Sequence, residues 1–173
     1  AHAPAGREQE RGLPQVAVGA RVARLVIGSV EIGRQRDDVA GADAALVVTP
    51  NFYDGKMTPD ALVAYYSDVA DLSPIPVLLY NVPKFTGVNM DAAAVARAAE
   101  HPNIIGIKDT SGNITQLADT VRSVGPDFQV LAGSASFLLA GLAVGAVGGI
   151  LAFKMIEKAS APAAVLVENV TKS

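Results

Sequence analysis

Beyond residue 40 the chain alternates short, almost uninterrupted apolar runs with stretches whose apolar residues recur at helical spacing. The runs fall at 45–49, 76–80, 104–108, 128–131 and 148–152, and their continuous hydrophobicity suits parallel strands covered on both faces. Helix signals stand between them. Thr58 precedes Pro59 and predicts a helix to about residue 71; Asp91 predicts one over 92–100, closed by His101-Pro102. Asn113 predicts 114–124 with Gly125 as terminator, and Ser134 stands before 137–144 and Gly145. The result is a repeated βα unit, compatible with a doubly wound open sheet or a β/α barrel. No Gly-x-Gly-x-x-Gly follows the first strand and no P-loop lysine motif is present, so pattern alone leaves the two open.

The ends are less regular. Residues 24–28 predict one more strand, 30–40 are short and charged for a covering helix, and 1–23 show no clean period. A final helix over 156–170 is interrupted near Pro162. At most six strands are visible, whereas a complete barrel closes with eight and typically about 250 residues. The 128–153 segment contains no charged residue and is long enough to cross a bilayer. Its glycines at 133, 141, 145, 148 and 149 divide it, and it reads better as buried strand, helix and strand.

Composition narrows the chemistry. The 173 residues carry a formal net charge of -3 and no cysteine, which excludes disulfides, thiolate metal sites and a thiol nucleophile. The acidic balance gives no footprint for nucleic acid. His2 and His101 are the only histidines and lie too far apart to suggest a metal site.

In parallel α/β proteins reactive groups gather at the carboxyl ends of strands. Lys108 ends the apolar run Ile104-Ile105-Gly106-Ile107. Apolar surroundings disfavour an ammonium relative to the free amine, and a free amine is what attack on a ketone carbon requires. The competing reading is an ion pair with Asp109 or another strand-end carboxylate. Tyr80 ends the preceding strand, where a phenol beside an imine can relay protons; a tyrosine merely packed at the rim is the alternative. The turn from Gly133 to Ser136 offers amides and hydroxyls to an anion, or simply a helix cap.

Val47-Val48-Thr49-Pro50, Leu79-Tyr80-Asn81-Val82-Pro83 with Thr86-Gly87, Gly106-Ile107-Lys108-Asp109 and Leu131-Ala132-Gly133-Ser134 together resemble the dihydrodipicolinate synthase/N-acetylneuraminate lyase family of class I aldolases. The resemblance runs from about residue 41 to 152. It implies a TIM (β/α)8-type barrel seen incompletely, about six of eight βα units, without the first two and the C-terminal helices. Residues 1–40 would be a degenerate or shortened N-terminal segment and 41–173 the barrel portion carrying the lysine. The separation of Tyr80 and Lys108 fits the family's catalytic tyrosine and Schiff-base lysine. Thr110, Gly133 and Ile150 match positions lining the family's substrate pocket.

Within the family, the 70–76 and 128–135 segments look most similar to 4-hydroxy-2-oxoglutarate aldolase of animal type. Phe85 stands where dihydrodipicolinate synthases usually carry a carboxylate-binding arginine. The resemblance therefore implies cleavage of 4-hydroxy-2-oxoglutarate to pyruvate and glyoxylate through a lysine imine, with no metal or added cofactor. It also implies a homotetramer, as in relatives, and a soluble protein of the mitochondrial matrix or cytoplasm. Neither nucleic acid nor membrane is expected as a partner. Two differences stand out. No Gly-Thr-Thr-Gly-Glu-like turn precedes Gly41, and the family's paired tyrosines after Thr-Pro read Phe52-Tyr53, which leaves Tyr53 to supply that hydroxyl. A noncatalytic family member, or another 2-oxo acid lyase such as a dihydrodipicolinate synthase, is the alternative reading.

Overall fold

The structure, a computed structural model, describes residues 15–18, 21–28, 42–50 and 57–151. The expected helix over 156–170, the 30–40 segment and Tyr53 lie outside the described residues. Seven strands form one sheet in chain order: β1 (Gln15–Val18), β2 (Arg21–Gly28), β3 (Ala44–Val48), β4 (Val77–Asn81), β5 (Ile104–Asp109), β6 (Gln129–Ala132) and β7 (Gly148–Gly149). From β2 to β7 every pairing is parallel; β1 pairs antiparallel with β2 and is a strand that the aperiodic 1–23 segment did not predict.

This order decides between the two architectures. A doubly wound sheet reverses strand order at a switch point and carries helices on both faces. Here the order never reverses, and the helices serve one face. The larger apolar cluster joins Ala45, Val47, Val77, Leu79, Ile107 and Val130 of the sheet to Leu62, Tyr66, Val95 and Leu117 of the helices. The opposite face holds only residues of strands and strand ends, Ala44, Leu46, Leu78, Leu131 and Ile150, with Tyr80 and Ile105 against them. An inner ring of strand side chains with helices outside is barrel architecture. The described residues make up part of such a barrel.

The helices form where capping chemistry places them. In α1 (Pro59–Leu72) the Thr58 hydroxyl accepts from the Ala61 amide at 3.2 Å. In α3 (Ala92–Ala98) the Asp91 carboxylate accepts from Ala94 at 2.8 Å, and in α4 (Ile114–Ser123) Asn113 accepts from Gln116 at 3.1 Å. Between β4 and α3 lies a short helix, α2 (Pro83–Thr86), that the sequence reading passed over. Its signals were present: proline at the first position and Gly87, at φ 69°, closing it. After β6, Ser134 caps a 3-10 turn, Ala135–Phe137, that leads into α5 (Leu138–Ala143), and Gly145 at φ 107° ends it. The uncharged 128–153 segment thus divides as expected, and among the described residues no helix is long and apolar enough to cross a membrane.

Tyr66 ties the layers together. It is fully buried, and its hydroxyl donates to the Val47 carbonyl at 3.2 Å. Burial pushes its phenol well above the usual tyrosine range, with Tyr65 beside it adding to the shift. Below the sheet, the Asn103 side-chain amide donates to the carbonyls of Ala70, Ser73 and Ile75, joining the turns that enter β4 and β5.

One irregularity matters for the site. Val77 of β4 pairs with Ile104, but Leu78 pairs with Gly106, so β5 carries one extra residue, Ile105. A bulge of this kind reverses which face later residues occupy. Ile104 and Ile107 pack in the outer cluster and Ile105 against the inner one, so after the bulge Gly106 and Lys108 share the inward phase.

Candidate active site

Lys108 and Tyr80 are register partners on adjacent parallel strands. Both therefore project from the same, inner face, which strand spacing of about 4.8 Å brings within reach. The Lys108 ammonium nitrogen sits 4.1 Å from the centroid of the Tyr80 ring, over its face. Lys108 is 7% exposed, and Leu131, its partner on β6, belongs to the inner apolar cluster. Among the described residues no carboxylate forms an ion pair with it. Its charge is held by an aromatic face, a contact worth roughly 2 kcal/mol when desolvated, less than a carboxylate would give.

The ion pair with Asp109 is thus not formed, and the pleat explains why. β5 continues through Asp109, so consecutive side chains point to opposite faces. Asp109 faces the helices and is 3% exposed. One of its oxygens accepts from the Ser111 amide at 2.6 Å; the other accepts from Asn81 Nδ2 at 3.4 Å and Gln116 Nε2 at 3.2 Å. Asn81, its register partner, is 1% exposed, and its carbonyl oxygen accepts from the Met90 amide at 3.0 Å. Asn89 bridges Asn81 and Gln116, donating to Gln116 Oε1 at 2.9 Å and accepting from Asn81 Nδ2 at 3.0 Å. Sequence reading missed this cluster. Its signal was two polar residues, Asn81 and Asp109, each directly following a candidate site residue.

Thr110 and Gly133 lie together beyond the strand ends. The Thr110 amide donates to the Asn81 carbonyl at 2.8 Å, and the Gly133 amide to the Asp109 carbonyl at 2.7 Å. The Thr110 hydroxyl is buried and has no hydrogen-bond partner. A buried hydroxyl left without a partner is costly, and this one stands two positions beyond Lys108, where a polar ligand would satisfy it. A side chain at 133 would strike Thr110: its Cβ would meet the hydroxyl oxygen and come within 2.8 Å of both Thr110 Cβ and the Asp109 carbonyl. Gly133→Ala is therefore expected to lower substrate affinity by about tenfold or more by displacing Thr110. A titration of pyruvate against the rate of borohydride trapping checks it; an unchanged half-saturation point would show that Thr110 keeps its place.

Ile150 completes the inner wall, 5% exposed, with its amide donating to the Ala132 carbonyl at 2.9 Å. The Ser134 hydroxyl accepts from the Ser136 amide at 3.3 Å and contacts its hydroxyl at 2.9 Å, so the cap reading holds there. Thr49 is buried, and its hydroxyl donates to Thr86 at 3.2 Å. Phe85, at the start of the loop after β4, is 76% exposed. His101 lies at the other end of the strands, paired with Asp71 at 3.0 Å, away from Lys108. The structure thus brings Lys108, Tyr80, Thr110, Gly133 and Ile150 to one end of one face.

Comparison with known proteins places this arrangement. A sequence profile of the dihydrodipicolinate synthetase family matches residues 23–165. The 4-hydroxy-tetrahydrodipicolinate synthase of Thermodesulfovibrio yellowstonii is 46% identical over 110 residues, 64% of this chain and 37% of that protein. That of Acidiphilium cryptum is 40% identical over 137 residues, 79% of this chain and 45% of the relative. Among solved structures, a prophage protein of the dihydrodipicolinic acid synthase family from E. coli K12, in complex with pyruvate, superposes with a TM-score of 0.68 at 33% identity, covering 76% of this chain and 47% of its own. Dihydrodipicolinate synthase from Thermotoga maritima gives a TM-score of 0.65 at 30% identity, with 76% and 47% covered. The chain thus spans less than half the length of each of these relatives.

Proposed function

The chain belongs to the dihydrodipicolinate synthetase family, and from that premise we propose that it carries the imine-forming site of a class I carbon–carbon lyase acting on a 2-oxo acid. The observation that supports this most is Lys108: a buried amine on the inner barrel face, without a carboxylate partner among the described residues and stacked on Tyr80. In the proposed reaction its nitrogen attacks the C2 ketone, and loss of water gives a protonated imine. The imine accepts the electron pair of the C3–C4 bond as that bond breaks. An aldehyde leaves, and protonation of the remaining enamine followed by hydrolysis frees pyruvate and the amine. Tyr80, whose hydroxyl makes no hydrogen bond to a described residue, serves as proton relay. The unsatisfied Thr110 hydroxyl serves as a donor to a substrate oxygen.

The finer assignment is 4-hydroxy-2-oxoglutarate as substrate, with glyoxylate as the aldehyde. Phe85 supports it, because an apolar, exposed side chain there offers no cation to a second substrate carboxylate of the kind an arginine would bind. The names of the relatives favour a second reading, a 4-hydroxy-tetrahydrodipicolinate synthase. Feeding 4-hydroxy-2-oxoglutarate and measuring glyoxylate decides between them. Release of glyoxylate in a Lys108-dependent manner is expected; pyruvate adduct formation without glyoxylate release would overturn the finer assignment. In the same assay Tyr80→Phe should lower turnover by about 10²-fold while Lys108 still forms the adduct. Turnover within twofold or so of the parent would remove Tyr80 from the relay.

A further inference from the structure

The inward aim of Lys108 is not given by the β5 sequence. Ile104, Ile105 and Ile107 are all apolar and either face would accept them. Without the bulge at Ile105, the phase set at Ile104 would turn Lys108 toward the helices and Asp109 into the barrel. Something past the bulge must hold the shifted phase. The Asn81–Asp109 pair is suited to it, because these two are register partners and their contact exists only in the register that also pairs Tyr80 with Lys108.

We infer that the Ile105 bulge and the outward cluster of Asn81, Asp109 and Gln116 form a register lock that aims Lys108 at Tyr80, making Asn81 and Asp109 positioning residues. A slip of one residue would bury the Asp109 carboxylate on the inner apolar face without its three donors, the Ser111 amide, Asn81 and Gln116. It would also leave the Asn81 amide without its acceptor. Each penalty falls on the outer face, yet each enforces the arrangement of the inner one. Gln116 extends the lock to α4, and the Met90 amide, bound to Asn81 Oδ1, extends it to the segment before α3. The consequence for activity rests on the proposed imine chemistry; the register does not.

The absence of cysteine allows a direct test of register. In Tyr80→Cys/Lys108→Cys the two introduced thiols share one face about 5 Å apart, so dibromobimane bridges them and becomes fluorescent. Adding Asp109→Asn sets amide donors against Asn81 and Gln116. Turning Asn81 over to compensate would strip the Met90 amide of its acceptor. The bridged yield is expected to fall about tenfold. Adding Asn81→Asp as well exchanges the carboxylate and amide, restores an acceptor for both partners, and should return the yield to within about twofold of the starting pair. Full bridging in folded Asp109→Asn protein would overturn the lock. So would an exchanged variant that folds without bridging, or one that fails to fold, since the cluster would then serve general stability. If the exchange restores bridging while the parent protein gives no pyruvate adduct, the lock stands and the imine proposal falls.

Discussion

Lys108→Met is expected to abolish turnover of the 2-oxo acid, by at least about 10³-fold, while leaving the protein as stable as the parent or more so. The two halves of this result have one cause. The ammonium is 7% exposed, surrounded by strand side chains, and supported by an aromatic ring rather than an anion. Methionine keeps the length and packing of the side chain and removes a charge whose burial is unfavourable, a change worth roughly 1 kcal/mol or more in favour of folding. A lysine kept for structure would behave otherwise: its loss would strand a carboxylate and lower stability by several kcal/mol, about 3 or more. Urea unfolding alongside the activity assay separates the two. A strongly destabilised Lys108→Met would mean that the charge has an anionic partner and a structural task.

The largest stability effect is expected at Gly106. This residue follows the bulge on the inner face, between Leu78 of β4 and Gln129 of β6, with which it pairs. A Cβ built there meets the Gln129 backbone carbonyl and comes within 2.8 Å of both Gln129 Cβ and Leu78 Cδ2. The carbonyl belongs to the sheet and cannot step aside as a side chain would. Gly106→Val should therefore cost about 3 kcal/mol, and Gly106→Ala roughly half of that, read from urea midpoints at constant slope. Because Lys108 lies two residues on, the valine variant should also trap pyruvate poorly even where it remains folded. Stability within about 0.5 kcal/mol of the parent would show that the strands can separate at the bulge.

Much of this was legible in the chain. The caps at Thr58, Asp91 and Asn113 fixed three helix starts, because each offers a side-chain acceptor just where amides would otherwise lack one. The candidate site was legible as residue types at strand ends. What pattern could not supply was facing. Ile104-Ile105-Gly106-Ile107 is apolar throughout, so neither the bulge nor the phase that turns Lys108 inward leaves a mark on it. An ion pair with Asp109 stayed plausible only while the strand was taken to end at 108; its continuation through Asp109 places the two on opposite faces. The choice between barrel and open sheet was likewise closed to pattern. Strand order and one-sided helices are properties of pairing, and pairing depends on contacts distant in sequence. The antiparallel β1 came as a strand from a segment without alternation.

The central claim is that Lys108 forms a covalent imine, and reductive trapping tests it most directly. The protein is incubated with pyruvate, treated with borohydride, digested and mapped by mass spectrometry. The account predicts a reduced pyruvate adduct on the peptide containing Lys108 and on no other lysine, absent in Lys108→Met. Folded protein that yields no adduct at Lys108, or one at another lysine instead, would contradict it.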